Sequence, residues 1–182
     1  MDRQKHARIP AAERLFLEAE QFEEKNDFRN AFRCLLAGAQ LGDSGSQLNL
    51  GNFYASGKGT RKSLEKAAYW YKKAYKNGYS TAALNLAIDR RNEGNVRSAV
   101  AWFKKAIAMK DGNACIELAK IYKSRKGGQK VATDLLRRAL RLNRDGISEA
   151  GREEAESLLH ELSEDAKPLR RRRAKQVSGF GS

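Results

Sequence analysis

Histidine, cysteine and a glycine-lysine turn are the residues in this chain whose chemistry could build a catalytic centre, and none has the company it needs. His6 and His160 are the only histidines. Neither has Cys, Asp or Glu neighbours at a ligand spacing that would set it apart from ordinary charged helix surface, so no metal site is expected. Gly57-Lys58-Gly59-Thr60 has the residue types of a phosphate loop but lacks the preceding strand and the full spacing. Cys34 and Cys115 are the only cysteines and fall in separate helical segments, which favours reduced, structural thiols in a cytoplasmic protein over a disulfide. Tyr69, Trp70, Tyr71 and Tyr75 cluster, but Trp70 and Tyr71 stand at core positions of the pattern below. No catalytic constellation and no cofactor site follow, and an enzyme is not expected.

The elements that hold these residues repeat along the chain. Alanines at Ala31, Ala67, Ala99 and Ala132 are separated by 36, 32 and 33 residues. Seven residues after each comes another small residue: Gly38, Ala74, Ala106 and Ala139. Between them stand Leu35, Tyr71, Phe103 and Leu136. Small residues seven apart lie on one helix face, where they let a neighbouring helix approach, while the bulky residue fills the groove. A second series precedes each anchor: Ala19, Gly51, Ala87 and Ala119, followed three residues on by Phe22, Tyr54, Arg90 and Tyr122. Each unit therefore reads as a helix, a turn and a helix.

Leu86-Ala87, Arg90, Ala99, Phe103 and Ala106 stand at the spacing of the tetratricopeptide signature, with Arg90 in place of its usual aromatic. The second unit has four extra residues between its helices. Its Leu50-Gly51, Tyr54, Gly57, Gly59, Ala67, Trp70-Tyr71, Lys73-Ala74 and Gly78 resemble a Sel-one-like repeat, the longer-looped relative. The resemblance runs over residues 12 to 143. It implies an all-α, right-handed α-solenoid of about four helix-turn-helix repeats, used for protein–protein interaction.

Composition agrees. Charged residues make up 32% and hydrophobic ones 41%, with only two prolines, which suits a helical, water-facing protein. No apolar run approaches the length of a membrane span. The start, Met-Asp-Arg-Gln-Lys-His-Ala-Arg, has no apolar signal region. Residues 1–9 read as a basic arm, residues 10–164 as the repeat domain and residues 165–182 as a disordered basic tail. Helices are expected over residues 10–25, 28–41, 44–56, 63–77, 80–91, 96–109, 113–125 and 130–142. A ninth, over residues 148–164, presents Ala155, Leu158, Leu159 and Leu162 on one side and caps the last apolar face.

In such a stack the first helix of each pair lines a concave surface, the default binding site. Its solvent-facing candidates are Gln47, Asn49, Asn52, Phe53, Asn85, Ile88, Asp89, Glu117, Lys120 and Ile121, with Arg90 a further contact or a local repair. Asn49 and Asn85 hold the same position in successive units. The resemblance implies that such asparagines can hold a ligand's backbone or carboxylate; ordinary helix-surface polarity explains them equally. Phe53 and Ile88 are open to a core role.

The net charge is +14. Residues 44–146 hold 22 basic and 7 acidic side chains, so the middle of the chain carries the excess. Lys72-Lys73, Lys104-Lys105 and Arg137-Arg138 occupy equivalent positions and should form a basic ladder on the outer helices. The ladder reads either as the repeat pattern itself or as a surface for anionic partners. The tail adds Arg170, Arg171, Arg172 and Arg173 without an aromatic among them for base stacking. The function expected is a non-catalytic adaptor holding an unidentified protein or peptide partner, acidic partners being favoured by charge. The alternative is a nucleic-acid-associated protein using the ladder and tail.

Overall fold

A computed structural model describes residues 9–142 and 146–165. The basic N-terminal arm short of Ile9, His6, and the arginine run Arg170–Arg173 with its tail lie outside the described residues. Within them the chain is all-α: α1 (Ala11–Glu24), α2 (Phe28–Gln40), α3 (Ser44–Ser56), α4 (Leu64–Lys76), α5 (Ser80–Asn92), α6 (Val96–Ala108), α7 (Gly112–Lys123), α8 (Gln129–Leu140) and α9 (Glu149–Asp165). Each begins and ends within two residues of its expected bounds. The chain divides into two compact units, Met1–Met109 and Lys110–Ser182.

Four of the joints between helices follow one chemical recipe. A residue in the left-handed region ends a helix, and the next residue caps the following one. Gly42 (φ 94°) is followed by Asp43, whose Oδ1 accepts from the Ser46 amide at 2.6 Å. Gly94 (φ 79°) is followed by Asn95, whose Oδ1 accepts from the Ser98 amide at 3.1 Å. Asn26-Asp27 and Lys110-Asp111 repeat the recipe without glycine. The amides of Asp43 and Asn95 also reach back to the carbonyls of Gly38 (3.1 Å) and Arg90 (2.8 Å). Two residues thus satisfy orphan groups on both helices at once.

The joint between α3 and α4 is longer. Gly57 closes α3 in the left-handed region (φ 81°), and Ser63 Oγ accepts from the Lys66 amide at 3.3 Å to open α4. Between them Gly59, at φ 63°, lies so close to the Phe28 carbonyl that a side chain has no room. This turn is folded onto the start of α2.

In the first unit, helix pairs α1/α2, α3/α4 and α5/α6 pack along the chain around the small-large-small series. Ala31, Leu35, Ala67, Ala74, Ala99, Phe103 and Ala106 are fully sealed from solvent, and Tyr71 nearly so. Gly51 matches the large ring opposite it: a Cβ there would come within 2.5 Å of Tyr71. Phe32 meets Tyr54 edge-on at 5.3 Å, and Tyr75 meets Trp102 edge-on at 5.5 Å, tying α2 to α3 and α4 to α6.

The second unit packs α7, α8 and α9 around Cys115, Ile116, Leu118, Leu136, Ala155 and Leu162. The amphipathic side read for the last helix covers this apolar surface.

Candidate functional site

The first-helix face of the first unit carries two open clefts that share Asn52 and Ser56. One, about 370 Å³, is lined by Glu23, Asn49, Asn52, Phe53, Ser56 and Lys58. The other, about 340 Å³, is lined by Asn52, Ala55, Tyr71, Asn85, Ile88 and Asp89 with Ser56. Together they run from the end of α1 across α3 to α5.

Asn52 stands between the two. Its Oδ1 accepts from Tyr71 Oη at 2.8 Å and from Asn85 Nδ2 at 2.9 Å. Both acceptor directions are then occupied, and the Nδ2 amino group of Asn52 is the part left to serve a ligand. Asn85 is correspondingly part of the wall. Asn49, in the equivalent position one unit earlier, lines the first cleft without such a bond among the described residues.

Asp89 closes the second cleft. Its Oδ2 is buried and has no hydrogen-bond partner among the described residues. Burial pushes the carboxyl above its ordinary value; Glu93 adds to the rise, while Arg90 and Lys62 oppose it. The phenol of Tyr71 is likewise held up by burial and then by the Asp89 charge, with Asn85 opposing. Arg90 Nη1 donates to Glu93 Oε2 at 2.8 Å, so the residue standing in the aromatic position makes a local ion pair.

Six of the residues read from the sequence thus meet on one surface: Asn49, Asn52, Phe53, Asn85, Ile88 and Asp89. Others do not. Gln47 was expected to face solvent but is only 3% exposed. Its Nε2 donates to the Ala39 carbonyl at 3.3 Å, and its Oε1 accepts from Asn77 Nδ2 at 3.0 Å, so it joins the ends of α2 and α4 to α3. Phe53 is buried, on the core side of the open choice, while still forming part of the first cleft's wall. Glu117 and Lys120 belong to the second unit and are bound up in it. Lys120 Nζ lies 2.6 Å from Glu117 Oε1 and 2.7 Å from Glu154 Oε1. Lys123 Nζ lies 2.6 Å from Glu161 Oε2, so α9 is strapped to α7 twice. Burial works against the Lys120 ammonium, but hydrogen bonds to the two carboxylates outweigh it and hold its pKa above the usual lysine value.

Sequence reasoning missed Glu23, Ser56, Lys58 and Tyr71 as lining residues. Lys58 was assigned to the repeat's own turn. It reaches back over α1 and α2, with Nζ 3.8 Å from Glu23 Oε2 and 4.3 Å above the Phe28 ring. The lysine in the glycine turn was the available signal. Lys72, Lys73, Lys104, Lys105, Arg137 and Arg138 are all exposed.

A sequence model of the Sel1 repeat matches this chain three times, over residues 11–43, 44–79 and 81–111. The chain belongs to the Sel1 repeat family. The fourth helix pair, α7/α8, lies beyond the matched Sel1 repeats although it keeps the Ala119, Ala132, Leu136 and Ala139 series. No curated protein matches the sequence. Among solved structures, the chain is similar to a Sel1 repeat protein from Oxalobacter formigenes, with 19% identity and TM-score 0.61 over 70% of this chain. It spans only 57% of that protein's length. It is also similar to c5321, a protective antigen of uropathogenic Escherichia coli with this fold, at 13% identity and TM-score 0.64, over 86% of this chain and 38% of that one. MamA aligns over 86% of this chain and 96% of its own, at 19% identity and TM-score 0.54. At these identities the likeness is one of fold. Among the described residues no helix is long and apolar enough to cross a membrane, and no group of three metal-ligating side chains occurs.

Proposed function

We propose that this Sel1 repeat chain is a non-catalytic adaptor that takes a segment of a partner protein along the α1/α3/α5 face. The observation that carries the reading is the pair of adjoining clefts with Asn52 at their junction. Asn49 and the Asn52 amino group offer hydrogen bonds to an extended backbone. Asp89, with one oxygen lacking a donor, favours a segment that brings an N–H or a lysine ammonium to that end. Phe53 and Ile88 give the clefts apolar floor. Residues 10–164 form the interaction domain in this reading, with the arm and tail as flanks. The two cysteines, both free, fit a reducing compartment, and we place the protein in the cytoplasm on that ground.

The test is affinity capture from lysate at moderate salt with nuclease present, comparing wild type with Asn49→Ala. A discrete partner is expected to survive nuclease and truncation after Glu164. Its affinity should fall about tenfold in Asn49→Ala, the loss of one charged or well-aligned hydrogen bond, with the melting temperature unchanged. A partner that binds the variant as tightly as wild type would remove the clefts from the explanation.

A further inference from the structure

The second helices of the first unit carry a different surface. α4 and α6 together hold seven basic side chains and one acidic one. Lys72, Lys73, Lys104 and Lys105 are exposed, and among the described residues none of them makes an ion pair. Four basic side chains elsewhere, Lys58, Arg90, Lys120 and Lys123, each have a carboxylate within 4 Å.

Two of these ammonium groups are nevertheless held. Lys73 Nζ lies 5.0 Å from both the Tyr69 and the Trp70 ring centres. Lys105 Nζ lies 3.7 Å from Trp102 and 5.8 Å from Tyr75. Tyr75 and Trp102 touch, so the aromatic pair beneath Lys105 spans α4 and α6. A ring face fixes a cation in place without cancelling its charge. The result is one positioned, unneutralised positive charge on each helix, with Lys72 and Lys104 exposed beside them.

We propose that this face binds the phosphate backbone of a nucleic acid, independently of sequence. A peptide partner would need anchor pockets, whereas Trp70 and Tyr71 are sealed into the core and lysine stems cover the neighbouring rings. An anionic bilayer would need an apolar wedge, and Tyr69 is the one large ring on these two helices that stands clearly exposed, at 53%. Charge with one exposed ring matches repeated phosphate contact with little base readout. The clefts of the proposed adaptor site are lined by other residues, so the two readings stand or fall separately.

The chain's only tryptophans, Trp70 and Trp102, both lie beneath these lysines and report the face directly. The full chain, tail included, is titrated with labelled oligothymidylate, following anisotropy and tryptophan emission together. A variant carrying Lys72→Gln, Lys73→Gln, Lys104→Gln and Lys105→Gln is run beside it, its fold checked by circular dichroism. Wild type is expected to bind with a change in tryptophan emission that salt reverses. The variant should bind at least tenfold more weakly, with the salt dependence of log K shallower by about 0.7 for each lysine that contacts phosphate. If the fourfold variant does not fold, Lys105→Gln alone and the wild-type emission change decide the matter. Binding without a tryptophan response, or equal binding by the variant, overturns the proposal and moves the contact elsewhere. So does preferential binding of polyglutamate or of phosphatidylserine vesicles over the oligonucleotide.

Discussion

The Asp89 carboxylate is half-buried, with one oxygen out of reach of any donor among the described residues. Its folded pKa lies above the ordinary value, so ionising it disfavours the fold. That penalty is complete at pH well above the raised value and disappears below the ordinary carboxylate range. Asp89→Asn should therefore stabilise the fold at neutral pH, by no more than about 1 kcal/mol after solvent screening, and raise the melting temperature accordingly. The gain should shrink as pH falls through the raised value. Thermal melts of both proteins across that range check it, and the same variant should weaken partner capture. The side chains that meet at this site are also where the sequence was hardest to read. Asn49 and Asp89 were found because they stand on the right helix face. Gln47 was misread because an amide one turn into a helix looks like surface until its partners Ala39 and Asn77 are brought together by folding. Tyr71 was recognised as core, but its hydroxyl reaches Asn52, nineteen positions away, a relation that periodicity does not encode.

Whole helices were far more legible, for a physical reason. Small and large residues at fixed intervals and a capping residue after each left-handed position are local chemistry, and helix formation depends mainly on such local choices. The α3–α4 turn was read as a longer joint, but its docking on Phe28 and the reach of Lys58 to Glu23 are tertiary facts. The same holds for α9. Its apolar side announced a covering helix, while the straps from Lys120 and Lys123 were invisible, and Lys120 was read as a partner contact. Lys120→Ala should cost about 0.5–1 kcal/mol, because it removes the shared cation of two carboxylates in a partly exposed setting. Hydrogen exchange should show faster opening along Glu149–Asp165, with α1–α6 unaffected. Uniform exchange across the chain would mean that the strap does not hold α9.

At the scale of the molecule the charge is uneven: α1 and α9 are rich in glutamate, and α4 and α6 are rich in lysine. A net charge of +14 repels itself in the compact state. Moderate salt should accordingly raise the melting temperature, by roughly 2–4 °C for each 1 kcal/mol of repulsion screened. Calorimetry from low to physiological ionic strength reads this directly, and a fall instead of a rise would show that the surface ion pairs outweigh the repulsion.

The two-residue joints between helices also bear on how the chain acquires its structure. Each helix finds its main partner within about one repeat of itself, and little chain must be closed into a loop before apolar contact begins. Hairpins such as α1/α2 or α5/α6 can serve as starting points, and neighbours can add to them in either direction. Low contact order of this kind favours rapid folding, and a pair can complete as soon as it leaves the ribosome, before the residues that follow it exist.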